Sequence, residues 1–67
     1  MKERDPALAR ALEAAGGPKA LAIALNITPA AVSNWHQAPP GRVLAIEAAT
    51  GGKVTRHELR PDIYGAA

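Results

Sequence analysis

The stretch Pro18-Lys19-Ala20-Leu21-Ala22-Ile23-Ala24-Leu25-Asn26-Ile27-Thr28-Pro29-Ala30-Ala31-Val32-Ser33-Asn34-Trp35-His36-Gln37 decides the fold. It reads as two short helices joined by a tight turn. Ala22 is small at the point where the second helix must approach the first closely. Asn26 stands where the backbone has to reverse, and Gly and Asn are the residues that best tolerate a left-handed conformation there. Ile27 follows as an apolar plug beneath the turn. Val32 and Trp35 lie about one helical turn apart, so both face back into a core. The unit is a helix-turn-helix.

Outward from this unit, Gly and Pro divide the chain into further helices, and no stretch alternates like a half-buried strand. Asp5 is placed to cap a first helix that starts at Pro6, with Leu8 and Leu12 on one face. Gly16-Gly17 ends it and Pro18 opens the second helix, which presents Leu21 and Leu25 together. Thr28 and Pro29 supply a hydroxyl cap and then a proline whose missing N–H costs nothing at a first helical position. This third helix is expected to run to about Gln37, before Ala38-Pro39-Pro40. A fourth should span about Gly41 to Thr50, burying Val43 and Leu44, with Ile46 as a further candidate. Thr55-Arg56-His57-Glu58 has the form of a capping box and opens a short fifth helix, which Pro61 stops. Asp62-Ile63-Tyr64 closes the chain. The expected fold is all-α, a compact bundle of four to five short helices containing a helix-turn-helix.

Composition narrows the function. Sixty-seven residues form one domain, expected over 1–67 with its core between about 6 and 64. The chain is 48% hydrophobic, but much of that is alanine, with no Phe, one Trp and one Tyr. Alanine packs closely yet contributes little area, so self-association as a homodimer is expected to bury more apolar surface. The absence of cysteine excludes disulfides and zinc–thiolate sites and fits a cytoplasmic protein. No segment approaches the roughly 18 apolar residues of a membrane span, and Met1-Lys2-Glu3-Arg4-Asp5 leads into no signal-peptide core. A net charge of +2 permits nucleic-acid binding without requiring it.

A helix-turn-helix commonly lays its second helix in the DNA major groove. With Val32 and Trp35 inward, helical geometry turns Ala30, Ser33, Asn34 and Gln37 outward. Thr28 and Pro29 sit at the N-terminal end, which usually meets base edges. This outward set holds no Lys or Arg. Asn34 and Gln37 each offer one acceptor and one donor, the pattern that pairs bidentately with adenine. Ser33 suits a base or a phosphate, and Ala30 or Pro29 a thymine methyl. The competing reading of these residues is an ordinary solvated helix face.

Cations that grip phosphate should flank such a helix. Lys19 starts the second helix, whose N-terminal N–H groups also favour an anion, and Arg42 opens the fourth. Lys2 and Arg4 suggest a mobile basic arm, while Lys53, Arg56 and Arg60 read as more distant, solubilising charges. Trp35 reads as core with an indole N–H that wants an acceptor at the core's edge. His36 and His57 have no Cys or spaced carboxylate pair beside them, so no metal site or cofactor is expected. Gly16-Gly17-Pro18-Lys19 lacks the spacing and preceding strand of a phosphate loop. No catalytic constellation is present, and the chain is not read as an enzyme.

Residues 24–35, Ala-Leu-Asn-Ile-Thr-Pro-Ala-Ala-Val-Ser-Asn-Trp, resemble the helix-turn-helix of the all-helical Cro-type repressors of temperate phages. The wider pattern is similar to the YdaS-type Cro-like regulators of prophages. It runs from Gly16-Gly17-Pro18-Lys19-Ala20-Leu21 through Pro39-Pro40-Gly41-Arg42-Val43-Leu44-Ala45-Ile46-Glu47 to His57-Glu58-Leu59-Arg60-Pro61-Asp62-Ile63-Tyr64. The resemblance covers roughly residues 8–64. It implies a small cytoplasmic transcriptional regulator that binds a palindromic operator as a dimer. Thr28, Pro29, Ala30, Ser33, Asn34 and Gln37 would then face DNA, with Lys19 and Arg42 on phosphate. Asn26 departs from the Gly that relatives often carry at the turn. Because some members are described as antitoxins, the alternative is a module that sequesters a protein such as a toxin. Its face would be the C-terminal Leu59, Ile63 and Tyr64.

Overall fold

The computed structural model describes residues 4–65. They form α1 (Pro6–Ala15), α2 (Pro18–Leu25), α3 (Pro29–Ser33), a 3₁₀ turn (Pro40–Arg42), α4 (Val43–Ala49), α5 (Arg56–Leu59) and α6 (Pro61–Tyr64), with no strand among the described residues. The expected all-α bundle with a helix-turn-helix is therefore the observed fold.

Local chemistry sets most of the boundaries. Pro18, Pro29 and Pro61 each begin a helix, where a missing N–H is tolerated. Gly16, Asn26 and Gly51 turn the chain out of α1, α2 and α4 through positive φ. Each turn is closed in the same way. Gly17 N–H reaches Leu12 O at 2.7 Å, Ile27 N–H reaches Ala22 O at 2.9 Å, and Gly52 N–H reaches Glu47 O at 3.0 Å. These bonds, with those that the preceding residue makes to the carbonyl three positions back, satisfy carbonyls the helix ends would otherwise leave open. At Thr55 the expected capping box forms: its Oγ1 accepts from Glu58 N–H, and Glu58 Oε1 accepts from Thr55 N–H.

Three expectations about helix ends change. α3 ends at Ser33 rather than near Gln37. Pro61 does not simply stop the fifth helix but starts a sixth, with Arg60 as the shared hinge between them. Asp5 occupies the N-cap position of α1 without a side-chain cap bond, and its Oδ2 is buried with no hydrogen-bond partner among the described residues.

The core is a single cluster. Leu8, Ala11 and Leu12 of α1 meet Leu21 and Ala22 of α2, Val32 of α3, Val43 and Ile46 of α4 and Leu59 of α5, with Ala38 and Val54 from the connections. Full burial of each larger aliphatic side chain is worth about 1.5–3 kcal/mol. Leu44 was expected inside, yet it is 49% exposed. Val43 and Ile46 set the inward face of α4, and Leu44 is rotated away from it, beside the exposed Ala45 and Ala48. Thr50 is buried but satisfied, its hydroxyl donating to Glu47 O and accepting from Val54 N–H.

Candidate nucleic-acid interface

α2 and α3 form the most closely packed helix pair, and the residues expected to join them do so. Ala22 and Val32 are fully buried, while Ile27 and Trp35 pack partly buried against the core. Asn26 adopts φ 58° and ψ 45°, the left-handed conformation expected at the turn. Thr28 caps α3, its Oγ1 accepting from Ala31 N–H at 3.2 Å. That bond uses a lone pair and leaves the hydroxyl hydrogen available to an outside acceptor.

Thr28, Pro29, Ala30, Ser33, Asn34 and Gln37 are all exposed. Ala30, Ser33 and the C-cap residue Asn34 share one exposed face of α3. Asn34 is the helix's C-cap, its N–H donating to Ala30 O at 3.2 Å. Gln37 lies beyond the helix, so the four-residue outward stripe is reduced to three and Gln37 is presented from a loop.

The early end of α3 has a tertiary cause. In a continuing helix Ser33 O would accept from Gln37 N–H. Here it accepts from Arg4 Nη2 at 3.1 Å, Trp35 O accepts from Arg4 Nε at 3.2 Å, and His36 O accepts from Asp5 N–H at 2.7 Å. The chain then turns inward to bury Ala38, whose carbonyl accepts from Arg60 Nη1 at 3.0 Å. Arg4, read as part of a mobile arm, is thus bound to the backbone at the end of α3 and just after it, while Lys2 lies outside the described residues. These roles of Arg4 and Arg60 escaped sequence reasoning. A charge in the chain carries no mark of a carbonyl 22 to 31 residues away.

The remaining charges sort into paired and free. Arg10 pairs with Glu58 at 2.6 Å, Arg56 with Glu47 at 2.9 Å and Arg60 with Asp62 at 2.8 Å. Lys19, Arg42 and Lys53 form no ion pair among the described residues, and all three are exposed. Lys19 stands in the first turn of α2 and Arg42 ends the 3₁₀ turn before α4. Hydrogen bonds from the Arg56 guanidinium, then from its backbone N–H, hold the Glu47 carboxyl below its ordinary range. The bidentate Arg60 bond does the same for Asp62 and raises the guanidinium's own value. His36 is exposed, and His57 Nδ1 lies 2.9 Å from Gly65 O and 3.1 Å from Tyr64 O.

The C-terminal face expected of a partner-binding module is largely used internally. Leu59 is fully buried and Tyr64 packs against the core, leaving Ile63 exposed at 48%.

The architecture defines a helix-turn-helix domain with a polar, cation-free face on its second helix. A family model described as "Bacterial toxin YdaS" matches residues 8–67, and the chain belongs to this family. A relative from Escherichia coli (strain K12), named "Putative transcriptional regulator YdaS", is 40% identical over 67 residues, 94% of this chain and 68% of the relative. Among solved structures, the chain is similar to a Cro protein assigned to the prophage element Xfaso 1 in Xylella fastidiosa strain Ann-1. That match has a TM-score of 0.83 and 40% identity, and covers 90% of this chain and 97% of the other.

Proposed function

We propose that the chain is a cytoplasmic, sequence-specific DNA-binding transcriptional regulator: a Cro-like phage or prophage repressor that binds a palindromic operator as a homodimer. The observation that carries this reading is the exposed edge of α3. Ala30, Ser33 and Asn34 share it, and buried Val32 fixes their rotation against Ala22. The relatives' names, one a transcriptional regulator and one a Cro protein, point the same way. Asn34 reads adenine through its amide, Ser33 reads a base or phosphate, and Ala30 with Pro29 contacts a thymine methyl. Thr28 adds its free hydroxyl hydrogen, and Gln37 reaches the duplex from the loop. Lys19 and Arg42, unneutralised by any carboxylate of the described residues, hold phosphates on either side.

Of the three residues that the partner-sequestering alternative needs at the surface, only Ile63 is exposed. The test is a pair of substitutions in a fluorescence-anisotropy titration of duplex DNA. Asn34→Ala is expected to cost about 1–3 kcal/mol and to relax preference at one base pair. Lys19→Ala is expected to weaken all sequences alike and to flatten the salt dependence. Unchanged operator affinity in both variants would overturn the assignment of α3.

A further inference from the structure

We propose that Arg4 is a positioning residue for α3, setting base discrimination through the backbone that carries Ser33 and Asn34; this rests on the DNA-binding reading above. α3 has five residues, too few to hold a helical geometry unaided. Its N-terminus is secured locally by Thr28. Its C-terminal side has no equivalent in its own sequence, with no basic residue in the last turn and no left-handed cap at Asn34. Asn34 and Trp35 N–H groups satisfy Ala30 O and Val32 O, but the oxygens of Ser33, Trp35 and His36 need donors from elsewhere.

The N-terminal segment supplies all three. The Arg4 guanidinium spans Ser33 O and Trp35 O with two of its N–H groups, and the Asp5 backbone N–H takes His36 O. A planar fork on two carbonyls fixes direction as well as distance, which the single ammonium of a lysine cannot do. The positive charge also sits at the end of the helix where carbonyl dipoles accumulate. Ser33 and Asn34, two of the three polar or apolar readers on the α3 face, occupy this same end. Bidentate base recognition tolerates displacements of only about half an ångström. The Arg4 clasp therefore governs discrimination at the bases that Ser33 and Asn34 read, more than it governs overall attraction to DNA.

Three chains test this: the unaltered one, Arg4→Ala and Arg4→Lys. Each is measured on the duplex that the unaltered chain prefers and on a scrambled duplex over a range of salt, and each is followed by amide hydrogen exchange without DNA. Arg4→Ala is expected to weaken the preferred duplex about tenfold, with the scrambled duplex and the salt slope unchanged. The Asn34 and Trp35 amides should exchange faster while the denaturation midpoint of the whole chain moves little, and Arg4→Lys should recover part of both effects. Equal weakening on both duplexes with a salt slope shallower by about one would make Arg4 a phosphate contact and overturn the proposal. Unchanged exchange at Asn34 and Trp35 would overturn it as well. That arm needs no DNA, so it stands even if no preferred duplex exists. Should Arg4→Ala fail to fold, Arg4→Lys carries the comparison, and full discrimination in it would contradict the need for a fork.

Discussion

At Glu47 one carboxylate receives three hydrogen bonds from Arg56: its backbone N–H at 2.7 Å, Nη2 at 2.9 Å and Nε at 3.1 Å. The two residues are nine apart, and the pair ties α4 to the start of α5. Because these bonds favour the ionised form, the Glu47 carboxyl titrates lower in the folded chain than in the unfolded one. Its contribution to stability is therefore complete above the ordinary carboxylate range and is lost as pH falls through the lower folded value. Asp62, held by Arg60, follows the same sign. Urea denaturation of Glu47→Gln should show a lower midpoint than the unaltered chain near neutral pH. The two midpoints should converge in acid below the carboxylate range. A gap that persists undiminished in acid would mean that packing, and not charge, is what Glu47 contributes.

At the scale of elements, the turn between α2 and α3 rests on Asn26. Its positive φ is strained for most residues and worst for those branched at Cβ. Asn26→Val should destabilise the fold by about 1–2 kcal/mol in thermal or urea unfolding, whereas Asn26→Gly should be close to neutral. Equal effects of the two would show that the Asn26 side chain, and not its backbone conformation, matters. The same element shows which boundaries a sequence can reveal. The starts at Thr28-Pro29 and Thr55 and the ends at Gly16 and Asn26 were legible because each depends on residues within one turn of it. The end of α3 was not, because Arg4 and Asp5 supply the donors that stop it from the far end of the chain. Periodicity placed Ala30, Ser33 and Asn34 on one outward face, while Gln37 left that face when the helix ended early. Leu44 failed for a different reason. Four apolar residues in Val43-Leu44-Ala45-Ile46 leave the inward direction undefined until the neighbouring helices choose it.

For the whole molecule, size and charge set the terms of recognition. The described residues span 30 × 29 × 19 Å. On the proposed operator, the α3 helices of two copies should enter successive major grooves about 34 Å apart. With about three phosphate contacts in each subunit, log affinity should fall against log salt with a slope near −5. A slope near half that value would indicate one copy per site. Sequence-specific DNA binding through α3 is tested by selecting randomised duplex DNA with the purified chain and sequencing the bound fraction. An enriched palindrome with half-site centres about one helical turn apart, lost selectively in Asn34→Ala, is the expected result. A folded chain that enriches no sequence at moderate salt would contradict it.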